Sequence, residues 1–287
     1  MFIEPMLLQQ KEQPYYDTNV IWEPKADGHR LIYSRINGEL KYYTRHHNEI
    51  TGRYPEIHDL PVDGDVILDG EIVCINPETG AIDFELISSR FQTKTPKKIV
   101  AAMQRLPVFF VVFDILYYKG QDLRNLPLMA RKEILLSVIP DTMHITKTPF
   151  VEADGITLFD SIKNRNGEGC VSKKKDSIYV GKRSADWVKV INYQYAKVFL
   201  SGYKKEGFGW LASIEEKGKM RSVGTIELGV PPKCKKAFYS VSKTIITGED
   251  RNFVFLQPAI KATVKFRNWT KSGMLRSPVF VDFDLSA

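Results

Sequence analysis

The stretch VIWEPKADGHRLIYSRINGELKYYTR, residues 20–45, decides how the first part of this chain folds. It contains three extended runs that are rich in β-branched and aromatic side chains. Asn37-Gly38 separates the last two runs, and this pair favours a tight hairpin because both turn positions need positive φ. The stretch therefore predicts antiparallel sheet at the beginning of the chain.

Further strands and helices are predicted as far as about residue 190. Val66–Ile75 and Leu106–Tyr118 are predicted strands, and the second is apolar enough to be buried on both faces. Helical spacing of apolar residues follows Pro127, and a short helix is predicted from about Asp154 to Arg165. Antiparallel sheet and helices in separate runs predict the α+β class for the first two thirds of the chain.

The last third has a different pattern. Short β-patterned runs alternate there with glycine and proline turns, and about 90 residues of this kind fit a small all-β barrel such as an OB-fold. The stretch Phe238–Lys243 within it fits a helix or a loop equally well. We predict two domains, residues 1–191 and 192–287.

The charge of the chain is divided unevenly between these two parts. Residues 192–287 carry 16 Lys+Arg against 8 Asp+Glu, a net charge of +8, whereas residues 1–191 carry 25 against 26 and have a net charge of −1. A basic module beside a nearly neutral body favours polyanion binding next to a separate catalytic domain. A basic surface that only maintains solubility is the alternative.

Composition excludes several protein classes. The chain is 43% hydrophobic and 26% charged, as soluble globular proteins are, and no apolar run approaches the roughly 18–20 residues of a membrane helix. The N-terminal stretch lacks the pattern of a signal peptide. The three cysteines are odd in number and lack metal-ligand spacing, which predicts a reducing cytoplasm and neither a disulfide framework nor a zinc site.

The segment Glu23-Pro24-Lys25-Ala26-Asp27-Gly28-His29-Arg30 carries the first chemical signal. A lysine amine is a nucleophile only when it is neutral, and partial burial or a nearby cation favours that form. Gly28 permits close approach of the backbone to a ligand. Alone, Lys-x-Asp-Gly is a weak signal because such a tetrapeptide also occurs by chance.

The motifs that follow Lys25-Ala26-Asp27-Gly28 are more specific because they occur in one order. They resemble those of the covalent nucleotidyltransferases, the superfamily of ATP-dependent DNA ligases, RNA ligases and mRNA capping enzymes. The resemblance covers nearly the whole chain. The similar motifs are Thr44-Arg45, Leu68–Ile72, Val112–Tyr117, Glu168–Val171, Ser172–Ser184 and Asp186–Lys189.

A longer match lies near the end of the sequence. Phe266–Phe280 resembles the C-terminal signature of ATP-dependent DNA ligases. It favours a DNA ligase over an RNA ligase or a GTP-dependent capping enzyme, which are the alternatives. The resemblance implies a nucleotidyltransferase domain followed by an OB-fold, and the sealing of 3′-hydroxyl/5′-phosphate nicks in duplex DNA through AMP carried on Lys25.

The resemblance also implies a role for each motif residue. Glu168 and Asp27 would bind Mg²⁺ or another divalent metal. Arg267, Lys271 and Arg276 would contact DNA or close the barrel over the site. The implied nucleotide contacts are Glu23 with the adenine amino group, Phe113 stacked on adenine, Glu71 with ribose, and Arg30, Arg45 and Lys189 with phosphate. Phe113 also fits an ordinary core position in an apolar strand.

Two departures from the family pattern affect these expectations. His46-His47 stands where ligases carry an Asn-Gly pair. The fifth motif usually continues Lys-x-Lys, whereas this chain has Lys189-Val190-Ile191 and lacks the second lysine. Lys173, Lys174 or Lys197 are candidates for supplying that charge, or Lys189 holds the phosphate alone. An inactive nucleic-acid-binding module is the alternative that this loss supports.

The expected partner is nicked double-stranded DNA, bound by a monomer without membrane association. We expect the protein to act in the cytoplasm or, if viral, in the host cell, in DNA repair, replication or recombination. We expect no additional N-terminal DNA-binding domain, so encirclement of DNA would come from the two domains or from a loop within the barrel, for which Lys233–Asp250 is the candidate.

Overall fold

The computed structural model describes residues 1–284 and divides the chain into two compact units, Met1–Asn192 and Tyr193–Ala287. The sequence predicted this division one residue earlier, after residue 191. The predicted α+β class is confirmed, since antiparallel sheet dominates both units and the helices are few and short. Within residues 1–284 no helix combines the length and the apolar character that crossing a bilayer requires.

The elements of unit 1 alternate between sheet and helix along the chain. In chain order they are β1 (Leu7–Lys11), β2 (Tyr16–Pro24), β3 (His29–Ile36), β4 (Glu39–Thr44), β5 (Val66–Cys74), α1 (Phe84–Gln92), α2 (Pro96–Arg105), β6 (Val108–Tyr118), β7 (Gln121–Asp122), α3 (Leu128–Val138), β8 (Ile145–Lys147), β9 (Val151–Asp154), α4 (Gly155–Asn164), β10 (Gly169–Lys174) and β11 (Arg183–Ile191). Two 3₁₀ turns, Thr51–Arg53 and Pro55–Ile57, follow β4.

Unit 1 contains two sheets that face each other. One has the order β4-β3-β5-β6-β7, with β8 paired to β6, and the other has the order β1-β11-β10-β2-β9. Ile32 and Leu116 from the first sheet pack in one buried cluster with Ile21 and Trp187 from the second. The pocket described below is lined by residues of both sheets.

The predicted hairpin joins β3 to β4. Asn37 has φ of 51° and Gly38 has φ of 77°, and Ile36 pairs with Glu39 directly across the turn. Positive φ at both central residues is the type I′ conformation, whose twist matches that of antiparallel strands. The pairing of β3 continues on its other side with β5, which sets Arg30 opposite Glu71.

Unit 2 is a curved sheet built on one long strand. Its elements are β12 (Gln194–Lys204), β13 (Trp210–Glu216), β14 (Lys219–Ile226), α5 (Pro232–Ser242), β15 (Ile246–Glu249), β16 (Phe253–Leu256), β17 (Lys261–Phe266) and β18 (Val279–Phe283). The strand β12 pairs with β13, β16 and β17. A single strand with three partners bends around a small core, which agrees with the predicted OB-fold.

The expectation of a loop at Lys233–Asp250 is wrong. This region forms helix α5 and strand β15, and β15 pairs with β16. Phe238 of α5 is buried with its ring centroid 4.4 Å from that of Trp210. Pro232 begins the helix at a position where proline is favoured, and burial of the apolar face of α5 holds it against the barrel.

Candidate active site

Lys25 directly follows strand β2 and meets the beginning of β10. Its backbone N–H donates to the Gly169 carbonyl at 2.9 Å, and its Nζ donates to Glu168 Oε2 at 2.8 Å. The pairing of β2 with β10 brings these residues together although 143 positions separate Lys25 from Glu168. The Lys25 side chain is 18% exposed and that of Glu168 is 2% exposed, so the amine is accessible while its partner is buried.

Lys25 lines a pocket between the two sheets of unit 1. The pocket is a cleft with about 420 Å³ of empty space, which includes the open solvent at its mouth. Five of the predicted site residues line it together, namely Glu23, Lys25, Arg30, Glu71 and Phe113. The other lining residues are Leu8, Pro24, Ala26, Thr148, Val171, Lys173 and Trp187.

Glu71 is the second carboxylate beside the lysine. Burial raises the pKa of Glu71 to about 7, and the negative charges of Glu168 and Asp69 act in the same direction, while Lys25 and Arg30 oppose the shift. Glu71, which lines the pocket, and Glu168, which is not among the lining residues, therefore lie close enough to interact near the Lys25 amine. Such an arrangement favours a proton or a cation between them.

Arg30 is held in place by a buried carboxylate. Its Nε and Nη2 donate to the two oxygens of Asp69, and its Cζ lies 4.6 Å from the centroid of the Phe113 ring. Asp69 is fully buried and also accepts a hydrogen bond from the Tyr179 hydroxyl. Arg30 thus forms part of the pocket wall, and its predicted contact with a phosphate stays a prediction.

Phe113 combines the two roles that the sequence left open. It is half-buried on β6, it lines the pocket, and its ring meets that of Trp187 edge-on with centroids 6.1 Å apart. It also packs against the buried cluster between the sheets. One part of the ring therefore belongs to the core, and another part lines the pocket.

The sequence did not predict the environment of Glu23. This carboxylate is 2% exposed, and it accepts a hydrogen bond from Lys132 Nζ and forms an ion pair with Lys173 Nζ at 2.7 Å. The sequence of helix α3 contains a pattern that could have indicated the burial of Lys132. Its buried stripe is Leu128, Arg131, Lys132 and Leu135, so two cations share the spacing of apolar core residues.

Lys189 and Ile191 share one face of β11 with Trp187, since alternate residues of a strand point the same way. Lys189 pairs with Val171, which lines the pocket, and Ile191 pairs with Gly169 and is buried. The candidates for the missing second charge have other ion partners. Lys173 pairs with Glu23, Lys174 with Asp186, and Lys197 with Asp284.

Arg45 and Asp27 are not among the residues that line the pocket. Arg45 is exposed in the turn after β4, and Asp27 is half-buried in the turn before β3. His47, in the place of the family's Asn-Gly pair, has φ of 60° and stacks on Phe2 with ring centroids 4.0 Å apart. The histidine that replaces part of the Asn-Gly pair therefore packs against Phe2 of the N-terminal segment.

Position 28 requires glycine because of packing between strands, and not because of the predicted close approach of a ligand. A Cβ atom at this position would lie 2.1 Å from the Ile72 carbonyl oxygen, far closer than any van der Waals contact. The start of β3 therefore approaches β5 so closely that only glycine fits. This approach brings Arg30 and Glu71 into the pocket together.

The carboxylates beside Lys25 supply fewer oxygen atoms than a divalent metal needs for its full coordination. Across residues 1–284 no group of three or more His, Cys, Asp or Glu side chains is arranged to hold a metal ion. Mg²⁺, however, is commonly bound by one or two carboxylates together with water and substrate phosphates. Glu168 and Glu71, beside Lys25, fit that mode of binding.

The predicted nucleic-acid contacts of unit 2 lie on one hairpin between β17 and β18. The Arg267 N–H donates to the Arg276 carbonyl at 3.0 Å, and Arg276 Nη1 donates to Asn268 Oδ1 at 3.2 Å. Lys271 is exposed at the end of this hairpin, and Arg267 and Arg276 are half-buried. The structure therefore brings the three predicted residues together on one surface element.

Comparison with known proteins gives consistent results. Residues 5–190 match the model of the ATP dependent DNA ligase domain. The chain is 37% identical over 281 residues to the SPbeta prophage-derived DNA ligase-like protein LigB of Bacillus subtilis, and the match covers 98% of each protein.

Two solved structures resemble the fold. A Lig E DNA ligase, described as binding DNA with a minimal scaffold, superimposes with a TM-score of 0.71 at 16% identity over 99% of this chain and 100% of that one. A mycobacterial DNA ligase D complexed with ATP and MES gives a TM-score of 0.59 at 23% identity over 98% and 94% of the two chains. At these identities the likeness concerns the fold.

Proposed function

The chain belongs to the family of ATP-dependent DNA ligases, and we propose that it seals nicks in duplex DNA through AMP bound covalently to Lys25. One observation carries the proposal. The Lys25 side chain is accessible in the pocket and lies beside the carboxylates of Glu168 and Glu71. A nucleophile, cations and carboxylates in one pocket are the components that phosphoryl transfer requires.

In the first step the Lys25 amine attacks the α-phosphorus of ATP. A phosphorus–nitrogen bond forms, the bond from that phosphorus to the bridging oxygen breaks, and pyrophosphate leaves with the electron pair. The amine must give up its protons as the bond forms. Glu168 Oε2, at 2.8 Å from Nζ, is positioned to accept one.

The pocket walls orient the nucleotide for this attack. Phe113 offers a ring face to adenine, Glu23 accepts a hydrogen bond from its amino group, and Glu71 contacts the ribose. Arg30 and Lys189 supply positive charge on the phosphate side, and Arg45 does so if the nucleotide extends to the turn after β4. Glu168, with Glu71 or Asp27 near it, would hold a divalent cation, which would neutralise further phosphate charge.

The two later steps use the same site with DNA in place of pyrophosphate. An oxygen of the 5′-phosphate attacks the AMP phosphorus, the phosphorus–nitrogen bond breaks, and the Lys25 amine regains its proton. The 3′-hydroxyl then attacks the activated 5′-phosphorus and AMP leaves. We assign duplex binding to unit 2 because it carries the net charge of +8, and we propose a monomer that acts in the cytoplasm of a cell or of a virus-infected host.

Mass spectrometry after incubation with ATP and Mg²⁺ tests the proposal. We expect one AMP on the peptide that contains Lys25, and no adduct in Lys25→Arg. Lys11→Arg, a change at an exposed lysine of the same unit, is the matched control and should be labelled normally. Lys25→Arg should still seal a nick whose 5′-phosphate already carries AMP, because that step bypasses the lysine. An adduct on another peptide would refute the assignment of Lys25.

A further inference from the structure

Glu23 is a buried carboxylate that two lysines hold from different elements. Lys132 reaches it from helix α3, and Lys173 reaches it from β10. All three side chains are 2–3% exposed. An ionised carboxylate in such surroundings is unstable unless cations compensate it, and the two lysines supply that compensation.

The two lysines do not have equivalent contacts. Lys173 meets Glu23 as an ion pair at 2.7 Å without the alignment of a hydrogen bond, and its amine lies 4.4 Å from the centroid of the Phe113 ring and 4.0 Å from that of Trp187. Lys132 donates a hydrogen bond to Glu23 Oε1. Lys173 lines the pocket, whereas Lys132 is not among the lining residues.

We infer that Lys132 is a positioning residue that keeps Glu23 ionised and directed into the pocket, and that it thereby sets the preference of the enzyme for 6-aminopurine over 6-oxopurine nucleotides. The inference rests on the proposed function, since it assumes that Glu23 meets the 6-position of the bound base. Lys132 acts only through Glu23 and touches no part of the nucleotide.

The chemistry follows from the hydrogen-bonding capacity of a carboxyl group. An ionised carboxylate only accepts hydrogen bonds, and each oxygen retains a lone pair after its contact with a lysine. It therefore accepts from a 6-amino group and repels a 6-oxo group. Loss of Lys132 removes one of the two cations and the hydrogen bond that directs Glu23 Oε1, so it reduces the discrimination.

The experiment compares ATP with inosine triphosphate, which carries a 6-oxo group and no 2-amino group. Covalent self-labelling of the full chain is measured with both nucleotides in the wild type, Lys132→Met, Lys132→Gln and Lys132→Arg. We expect the ratio of kcat/KM for ATP to that for inosine triphosphate to fall at least about tenfold in Lys132→Met and Lys132→Gln, mainly through KM. Lys132→Arg keeps a cation and should restore most of the ratio.

Lys175→Met is the matched control, because Lys175 pairs with Glu152 on the surface of the same unit. It should leave the ratio unchanged. A folded Lys132→Met or Lys132→Gln with the wild-type ratio overturns the inference. Failure of both variants to fold also overturns it, because Lys132 would then be a structural residue.

A second readout separates this inference from the proposed function. Dissociation constants for both nucleotides are measured by calorimetry without magnesium, so that no covalent step occurs. If the wild type never forms AMP-lysine at Lys25 but Lys132→Gln still loses its preference for ATP, the proposed function fails and the role of Lys132 stands. If Lys25 is labelled normally and Lys132→Gln keeps its preference for ATP, the proposed function stands and the role of Lys132 fails.

Discussion

Lys189 lies opposite Val171 in the pairing of β10 with β11, and Val171 lines the same pocket as Lys25. Two positions further along β11, Ile191 lies opposite Gly169, the residue whose carbonyl accepts the hydrogen bond from the Lys25 backbone. Trp187, Lys189 and Ile191 share this face of the strand, and of these three side chains Lys189 alone carries a charge. We therefore predict that phosphate neutralisation from this face of β11 depends on Lys189 alone.

Replacement of Lys189 by Met should lower the rate of AMP transfer to Lys25 by at least about 100-fold, which is the usual cost of removing one electrostatic contact to a reacting phosphate. Ile191→Met conserves volume and adds no charge, so the rate should stay within about twofold of the wild type. Both rates are measured in single turnovers at saturating ATP. Equal rates in the two variants would show that Lys189 does not contact the phosphate.

Local sequence features predicted much of this molecule. The hairpin at Asn37-Gly38 depends on two adjacent residues, and the all-β pattern of the last third depends on short-range alternation. Three residues that the motifs single out, Glu23, Lys25 and Phe113, line one pocket in the structure, and their roles stay predictions. In each case the signal lies in neighbouring residues or in a motif that the family shares.

What the sequence did not indicate depends on contacts between distant residues. Lys132 is 109 positions from Glu23, and the buried pair forms because α3 packs on β6 and Lys132 reaches from the helix to Glu23. The helix at Phe238 was ambiguous because its apolar residues are few, and burial against Trp210 decides its conformation. The close approach that requires Gly28 involves Ile72 on a strand that lies far along the chain.

Glu71 should make stability depend on pH. Its pKa is raised from 4.5 to about 7, so the folded state binds the proton more tightly than the unfolded state does. The resulting stabilisation is complete below pH 4.5 and is lost as the pH rises through 7, and it amounts to at most about 3 kcal/mol. Glu71→Gln cannot titrate, so it should gain stability relative to the wild type between pH 4.5 and 8.

Urea unfolding at several pH values, without nucleotide or metal, measures this difference. The free energy of unfolding of Glu71→Gln minus that of the wild type should increase with pH, most steeply between pH 5 and 7. A difference that is constant across the range would show that the pKa of Glu71 is not raised in the folded protein.

Phe238→Ala should destabilise unit 2 by about 3–5 kcal/mol, because it removes a buried aromatic ring from its contact with Trp210. Val241→Ala on the same helix is the control, since Val241 is 51% exposed and its change should cost less than about 0.5 kcal/mol. Calorimetry of the full chain measures both. If both variants unfold like the wild type, α5 does not belong to the core of the barrel.

The hairpin between β17 and β18 should contribute phosphate contacts to DNA binding. Each cation that neutralises one phosphate contributes about 0.9 to the slope of log K against log salt, since binding releases counterions. Replacing Lys271 by Ala should therefore reduce the slope for a nicked duplex by about 1 and weaken binding to all sequences alike.

Arg276→Ala should have a similar effect, and because Arg276 also holds Asn268, part of its loss should persist at high salt. Lys163→Ala, an exposed lysine on α4 of unit 1, is the control and should leave the slope unchanged. Fluorescence anisotropy titrations between about 50 and 300 mM salt give the slopes for the wild type and the three variants. Identical slopes for Lys271→Ala and the wild type would exclude this hairpin from the DNA-binding surface.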